Sequence, residues 1–194
     1  MITFDQLVNQ KMTSVNGFYR RYSDDLLILC PIEQVEDINS FIIRLIEKEC
    51  KLEINPSKTN ITIFKTDESG KLRAISNHGT PSYLQYLGFE FDGKNILIRS
   101  SSISRYYRKM NQRIKKAASQ AKFSKTNTTK IFKRKLYNLY SHIGLGSELG
   151  RRNFISYGYR SSEITNSAPI RKQLSKHWSK LNKRIAAIKR KKGL

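Results

Sequence analysis

Two short apolar runs near the N-terminus flank a polar break, and a helical pattern follows them. The runs are Phe18 to Arg21 and Leu26 to Leu29, and the break is Tyr22-Ser23-Asp24-Asp25. Strand-forming residues on both sides of a short polar segment predict a β-hairpin. After Pro31, apolar residues at spacings of three and four predict a helix over residues 33–50 that packs on the hairpin. These apolar residues are Val35, Ile38, Ile42, Leu45 and Ile46.

Short antiparallel strands are predicted after this helix. Turn signals are found at Asn55-Pro56-Ser57, Asp67-Glu68-Ser69-Gly70 and Asp92-Gly93. Alternating apolar residues between the turns predict three strands. These strands cover Asn60–Phe64, Tyr83–Phe91 and Asn95–Arg99, and Asp92-Gly93 is a typical hairpin turn. Residues 1–99 therefore predict an α+β half-domain.

The remainder of the chain predicts basic helices. Ser101 to Phe123 contains no Pro or Gly, and Thr128 or Thr129 could cap a second helix that ends at Tyr140. Glycines at 144, 146 and 150 predict a loop. Pro169 could open a last helix, because apolar residues follow it at helical spacing. They are Leu174, Trp178, Leu181, Ile185 and Ile188. These patterns predict a second domain over residues 100–194.

The charge distribution changes at the same boundary. The net charge of the chain is +22. Residues 1–99 contain 12 Lys and Arg against 13 Asp and Glu, whereas residues 100–194 contain 25 Lys and Arg against only Glu148 and Glu163. A cationic block of this kind favours a polyanionic partner, and nucleic acid fits it best. An anionic membrane, an acidic protein partner or a solubilising surface are the alternatives.

Targeting signals and cysteine chemistry add few constraints. No segment approaches the roughly 20 apolar residues that span a bilayer. The first residues lack the basic flank and apolar run of a secretory signal, so a cytoplasmic location without membrane association is expected. Cys30 and Cys50 lie in apolar segments and form no metal-binding motif. Buried free thiols are expected, with a disulfide as the alternative.

The paired carboxylates at the predicted hairpin tip are the main candidates for chemistry. A tight turn would hold Asp24 and Asp25 at a fixed, exposed point, where Mg²⁺ could bind one or two carboxylates plus substrate phosphate oxygens. Two such ions would stabilise the attacking and leaving oxygens of phosphoryl transfer. Successive strand residues point to opposite sides, so Asp24 is the first choice as a direct ligand. An ordinary turn is the alternative, since Asp favours turns in any protein.

The sequence around the two aspartates resembles a known signature. Residues 18–29 read FYRRYSDDLLIL, which resembles the YxDD segment of reverse transcriptases of the retron and group II intron type. Further segments follow in the same order. Residues 52–59 resemble the loop after the palm helix, and residues 86–89 resemble the primer-grip hairpin. The resemblance covers residues 1 to about 120 and is nearest to bacterial antiviral-defence reverse transcriptases.

The resemblance implies a partial palm followed by a basic, thumb-like helical region, with an RNA template and a DNA primer or product as partners. Asp24 and Asp25 would hold two Mg²⁺ ions, and Lys58 would approach the incoming triphosphate. The residues expected beside the primer are Tyr22, Ser23, Leu87, Gly88 and Phe89. The alternatives are an ordinary turn lysine at Lys58, a sheet aromatic at Tyr22 and a β-bulge at Gly88.

Aromatic and basic residues alternate at the start of the second half. Arg105, Tyr106, Arg108, Lys109 and Arg113 are expected to contact nucleic acid, because cations bind phosphates and aromatic rings stack on bases. About half of the tyrosines at helical spacing are expected in the core instead. Trp178 is expected in the core, and the three scattered histidines predict no metal site.

The upstream part of the family pattern is missing. A reverse transcriptase needs another aspartate, from an upstream strand, and a fingers region before its YxDD hairpin. Asp5 matches neither the pattern of that strand nor its distance from the hairpin. By the same resemblance, Phe4 to Leu7 corresponds to the end of the helix before the hairpin. The chain is therefore expected to be inactive alone and to work with a complementing polypeptide that carries the fingers and first palm half. A degenerate, non-catalytic nucleic-acid-binding or regulatory module is the alternative.

Overall fold

The structure divides into two compact units. It is a computed structural model that describes residues 1–123, 131–142 and 153–193. The units are Met1–Leu87 and Gly88–Leu194, and the α+β fold class is confirmed. The charge of the chain changes at residue 100, so the charge boundary and the division between the units do not coincide.

The first unit begins with a helix and a hairpin. Its elements are α1 (Ile2–Ser14), β1 (Phe18–Tyr22), β2 (Asp25–Leu29), α2 (Val35–Leu45), β3 (Thr62–Thr66), β4 (Leu72–Ser76) and β5 (Leu84–Tyr86). A 3₁₀ turn at Ile32–Gln34 precedes α2, and a π-helical turn at Ile46–Cys50 extends it. The helix predicted over residues 33–50 is therefore confirmed as one continuous helical segment.

The core of the first unit joins α1, the hairpin and α2. Phe4 and Val8 of α1 and Tyr19 of β1 are buried together with Ile38 and Ile42 of α2. Burying side chains of this size stabilises a unit by roughly 1.5–3 kcal/mol each. Both helices thus pack on the hairpin, and the apolar pattern had predicted this contact for α2.

A second hairpin in the first unit was only half predicted. β3 confirms the strand expected near residues 60–64, and β4 pairs with it in antiparallel register from Thr62↔Ser76 to Thr66↔Leu72. The turn between them is organised by Asp67, whose carboxylate accepts hydrogen bonds from the backbone N–H groups of Ser69 and Lys71. β4 was not predicted, because the adjacent Ala74 and Ile75 break the alternation of apolar and polar residues.

The second unit contains two short strands and five described helices. Its described elements are β6 (Phe89–Phe91), β7 (Ile96–Ile98), α3 (Ser100–Lys122), α4 (Lys133–Tyr140), α5 (Phe154–Ile164), α6 (Ala168–Leu174) and α7 (His177–Lys192). The helix predicted from residue 101 to 123 is confirmed. Thr128, Thr129 and the glycines at 144, 146 and 150 lie outside the described residues.

Two predictions for this region were wrong in detail, and one helix was missed. The single strand expected over Tyr83–Phe91 is interrupted, because Leu87 and Gly88 form a turn between β5 and β6. The single helix expected after Pro169 is two helices, α6 and α7. Helix α5 was not predicted, since Gly158 and three serines weaken its pattern. A Cβ at Gly158 would lie 2.3 Å from Leu174 Cδ1, so a larger residue there would displace this buried side chain.

The second unit covers the outer edge of β7 with side chains. The Gln173 amide of α6 accepts from Ile98 N–H (2.9 Å) and donates to Ile98 O (3.0 Å), and Ser167 Oγ donates to Ile96 O (2.6 Å). These side chains satisfy backbone groups that an exposed edge strand would leave open to a foreign strand.

Helix length and thiol state can also be compared with the sequence. Within the described ranges, no helix has both the length and the apolar character needed to cross a bilayer. Cys30 and Cys50 are free thiols, as expected, and both are half-buried. Burial raises the pKa of the Cys30 thiol.

Candidate functional site

The β1–β2 hairpin places both candidate carboxylates at its tip. Five residue pairs run from Phe18↔Leu29 to Tyr22↔Asp25, so Ser23 and Asp24 form a two-residue turn and Asp25 begins β2. Ser23 has a φ of 56°, a left-handed conformation that is strained for a non-glycine residue. The turn therefore projects Asp24 beyond the last pair of the ladder.

Both carboxylates are open to solvent. Asp24 and Asp25 are exposed. Among the described residues, none donates a hydrogen bond or forms an ion pair with either side chain. Two adjacent negative charges without a cation repel each other, and a divalent ion is the partner that would relieve this repulsion most directly. The geometry thus leaves the hairpin tip free to bind a metal.

The tip is held in place by a cluster that the sequence patterns did not reveal. Arg21 binds both carboxylate oxygens of Asp5 in α1, through Nε at 2.8 Å and Nη2 at 2.6 Å, and its Nη1 donates to Ser23 O at 2.9 Å. Tyr19 Oη donates to the same carboxylate at 2.7 Å. One arginine therefore connects α1 to the turn that carries Asp24.

The negative charge of Asp5 is neutralised by Arg21 within this cluster. The hydrogen bonds from the Arg21 guanidinium hold the pKa of the Asp5 carboxyl below its usual value. Burial, followed by the hydrogen bond to Asp5, raises the pKa of Tyr19. Asp5 is thus a structural anion that supports the tip and not a further ligand at it. The arginine before the signature tyrosine was the available signal, but its partner 16 positions away could not be identified from spacing.

The solvent face of the hairpin carries an exposed aromatic residue beside the tip. Phe18, Arg20 and Tyr22 alternate with the core-facing residues, and the Arg20 guanidinium lies 4.8 Å from the centre of the Phe18 ring. Tyr22 is 66% exposed. Its ring is accessible next to Asp24, and its expected role beside the primer stays a prediction.

Lys58 lies on a short turn of the first unit. It ends a 3₁₀ turn at Pro56–Lys58, and its backbone N–H donates to Asn55 O at 3.0 Å. Its side chain is exposed, and within the described part of the chain no hydrogen bond joins it to the hairpin tip. The expected role of Lys58 at a triphosphate therefore stays a prediction.

A groove in the first unit lies away from the paired carboxylates. Its volume is about 870 Å³, and its lining includes Ile43 and Glu47 of the second helical segment, Glu53, Asn60 and Tyr83. Neither hairpin aspartate nor Lys58 contributes to it. The candidate site is thus an exposed tip and not a closed pocket.

The turn at residues 87–89 has a conformational reason for its glycine. Leu87 and Gly88 have φ values of 48° and 84°. A Cβ on Gly88 would meet no atom within 4 Å, so the positive φ, and not a close neighbour, favours glycine. The Phe89 ring packs in the core of the second unit, 6.1 Å from the Tyr157 ring. Gly88 is therefore part of a turn and not a bulge.

The five candidate residues on α3 separate into a buried tyrosine and exposed cations. Tyr106 is 6% exposed, stacks on Phe154 with ring centres 4.9 Å apart, and donates from Oη to Tyr140 O at 2.8 Å. Burial raises its pKa. This core position leaves no ring face of Tyr106 for a base. The cations are exposed, and they are Arg105, Arg108, Lys109 and Arg113.

Trp178 and two of the three histidines have structural partners. Trp178 packs beside Tyr137, with ring centres 4.8 Å apart. His177 is buried, its Nδ1 lies 2.7 Å from Leu174 O, and its Nε2 lies 3.0 Å from His142 Nδ1. This histidine pair connects the end of α4 to the start of α7. It was not expected from the sequence, where the histidines are far apart.

The two carboxylates at the hairpin tip fit Mg²⁺ only if further ligands come from outside the described residues. No group of three or more metal-binding side chains occurs among residues 1–123, 131–142 and 153–193. Two adjacent exposed carboxylates fit an ion that also binds substrate phosphate oxygens, because Mg²⁺ needs only one or two protein carboxylates in such sites. They do not form a complete protein cage.

Comparison with known proteins adds no assignment. No protein-family model matches the chain, and no curated protein is significantly similar to it.

Proposed function

We propose that the β1–β2 hairpin is the metal-binding part of a nucleotidyl-transfer site in an RNA-directed DNA polymerase. The observation that carries this proposal is the pair of exposed, unneutralised carboxylates of Asp24 and Asp25 on a tip fixed by Arg21. The resemblance of residues 18–29 to the YxDD segment supports it. Mg²⁺ bound there would neutralise the developing charge on the transferred phosphate.

Each part of the chain has a separate role in this proposal. Asp24 and Asp25 hold the metal together with a carboxylate from a complementing polypeptide that carries fingers and the first palm half. Tyr22 and Ser23 lie beside the primer end, Leu87 to Phe89 contribute to its placement, and Lys58 approaches the triphosphate. Arg105, Lys109 and Arg113 of α3 bind the phosphates of the template–primer duplex, because phosphate contacts provide most of the affinity for nucleic acid.

A primer-extension assay tests the catalytic role. The purified chain is combined with Mg²⁺, deoxynucleoside triphosphates, an RNA template with a DNA primer, and a fingers–palm segment of a similar reverse transcriptase ending before its YxDD hairpin. We expect no extension by the chain alone, extension in the mixture, and its loss with Asp24→Asn. Glu68→Gln is the matched control, because Glu68 is exposed on a different hairpin turn.

A non-catalytic nucleic-acid-binding module is the second candidate. It is favoured by the absence of a three-carboxylate group among the described residues. In that case the mixture extends no primer, and Asp24→Asn leaves nucleic-acid binding unchanged. Extension by the chain alone would contradict the proposed need for a complementing polypeptide.

A further inference from the structure

Helices α3 and α7 lie side by side and run in the same direction. Near their starts, Lys180 Nζ of α7 lies 4.3 Å from the centre of the Tyr107 ring of α3. Near their ends, Lys192 Nζ donates to Ser119 Oγ at 2.5 Å. Both contacts join residues 73 positions apart. The two helices therefore keep one register from residue 107 to 119 on α3 and from 180 to 192 on α7.

This register identifies the cations that flank the seam between the two helices. On α3, Lys115 and Lys122 lie four residues before and three after Ser119, so they share the side that contacts α7. Arg108 lies two turns before Lys115 on the same side. On α7, Arg184 and Lys191 follow Lys180 at helical spacing. All are exposed except Arg184, which is half-buried.

These residues alternate between the helices along the seam. In the shared register, Arg184 is level with residue 111 and Lys191 with residue 118 of α3. Adjacent members are thus three or four residues apart along the axis, which is roughly 4.5–6 Å at a rise of 1.5 Å per residue. We call this set the cation ladder. In order along the seam it consists of Arg108, Arg184, Lys115, Lys191 and Lys122.

Nothing in the described structure neutralises the cation ladder. The sequences of α3 and α7 contain no Asp or Glu. Among the described residues, none of the ion pairs involves a ladder member, and Arg184 Nε is buried without a hydrogen-bond partner. A row of cations held in place by a packed core favours binding of a linear polyanion. Each phosphate that contacts the row releases condensed counterions, and this release contributes to the affinity.

We propose that the cation ladder binds the phosphodiester backbone of single-stranded nucleic acid, without reading its bases. A duplex strand turns about its axis once in about 10 base pairs, so a straight row could follow only a few of its phosphates. A flexible single strand can lie along the whole row. This inference rests on the nucleic-acid-binding part of the proposed function. It does not depend on the hairpin aspartates.

Charge-neutralising variants of the full chain test the ladder. The ladder variant carries Arg108→Gln, Lys115→Gln and Lys122→Gln. The control variant carries Lys116→Gln, Lys133→Gln and Lys172→Gln, which remove the same charge from exposed positions elsewhere in the second unit. Fluorescence anisotropy with a labelled 15-nucleotide oligothymidylate measures binding over a range of salt concentrations. Circular dichroism checks that both variants remain folded.

The ladder variant is expected to bind roughly tenfold or more weakly than the control at physiological salt. With about 0.7 counterion released per phosphate, the salt slope should change from about −3.5 for five contacts to about −1.4 for two. Equal losses in both variants would overturn the proposal. So would tighter binding of a blunt 15-base-pair duplex than of the oligothymidylate, with the same loss in the ladder variant.

A pair of single substitutions keeps the test valid if the ladder variant is unstable. Lys115 and Lys116 are neighbours on α3, both exposed, but only Lys115 lies at the seam. Lys115→Gln is expected to weaken oligothymidylate binding about threefold more than Lys116→Gln, and equal effects would contradict the ladder. Because no polymerisation is measured, failure of this test leaves the hairpin proposal standing, and failure of primer extension leaves the ladder standing.

Discussion

Single residues determine how the hairpin tip is presented. Asp24 and Asp25 could be singled out from the sequence because two acids interrupt an apolar hairpin pattern. The support from Asp5 could not, since Asp5 and Arg21 are brought together by packing of α1 on β1. Burial of Tyr106 was also only partly predictable, because alternating tyrosines and cations on a helix do not show which tyrosine faces the core.

Arg21 is expected to fix the tip through geometry as well as charge. An Arg21→Lys variant keeps the charge, but one ammonium cannot bind both Asp5 oxygens and Ser23 O as the guanidinium does. We expect the unfolding midpoint to fall by a few degrees and amide hydrogen exchange around residues 22–26 to become faster. Arg20→Lys is the matched control, since Arg20 lies on the solvent face. Equal behaviour of the two variants would contradict a positioning role for Arg21.

Among the helices and strands, sequence patterns predicted those elements that depend mainly on contacts between residues close in the chain. The first hairpin and the helix after it were predicted from their apolar patterns, and α3 was predicted from a long segment without Pro or Gly. The turn at Leu87 was missed, since leucine is unusual at positive φ. The break between α6 and α7 was also missed. It coincides with the hydrogen bond from His177 to Leu174 O and the contact with His142, neither of which spacing reveals.

The histidine pair gives α4 and α7 a pH-dependent connection. Burial lowers the pKa of His177 from its ordinary 6.5, because the neutral ring is favoured in the folded state. His177 therefore contributes stability that is fully present above about pH 6.5. This stability is lost as pH falls from there through the lowered folded pKa. We expect the unfolding midpoint to drop between pH 7 and pH 5.

Histidine variants check this assignment. His177→Asn should remove most of the pH-dependent change, because asparagine does not titrate. His78→Asn should leave the change intact, since His78 is exposed in the first unit. The measurement is thermal unfolding by circular dichroism at several pH values. An unchanged pH profile in His177→Asn would contradict the role of the pair.

For the whole molecule, charge is the property that the sequence predicts best. The structure adds where on the surface the charged side chains lie. The excess of Lys and Arg after residue 100 is visible in the composition. The composition does not show which of these side chains lie on which side of α3. Arg108 lies on the side of the α7 seam, whereas Arg105, Lys109 and Arg113 follow a separate row at spacings of four. That division depends on the register between α3 and α7, which no local pattern reveals.

Binding of an RNA–DNA duplex should depend steeply on salt. Contacts from Arg105, Lys109 and Arg113 to three phosphates predict a log–log slope of about −2.7 or steeper, with about 0.9 counterion released per phosphate. Fluorescence anisotropy with a labelled duplex measures it. A flat slope would contradict the proposed thumb-like role of residues 100–194.

Metal binding at the hairpin tip tests the central claim most directly. Mn²⁺ replaces Mg²⁺ at such sites and broadens the NMR signals of nearby nuclei. We predict selective broadening of the Ser23, Asp24 and Asp25 amide signals, its enhancement by a deoxynucleoside triphosphate, its reversal by excess Mg²⁺ and its loss in Asp24→Asn. Equal broadening around the Asp67–Glu68 turn, or none at residues 23–25, would contradict a metal-binding role for the hairpin.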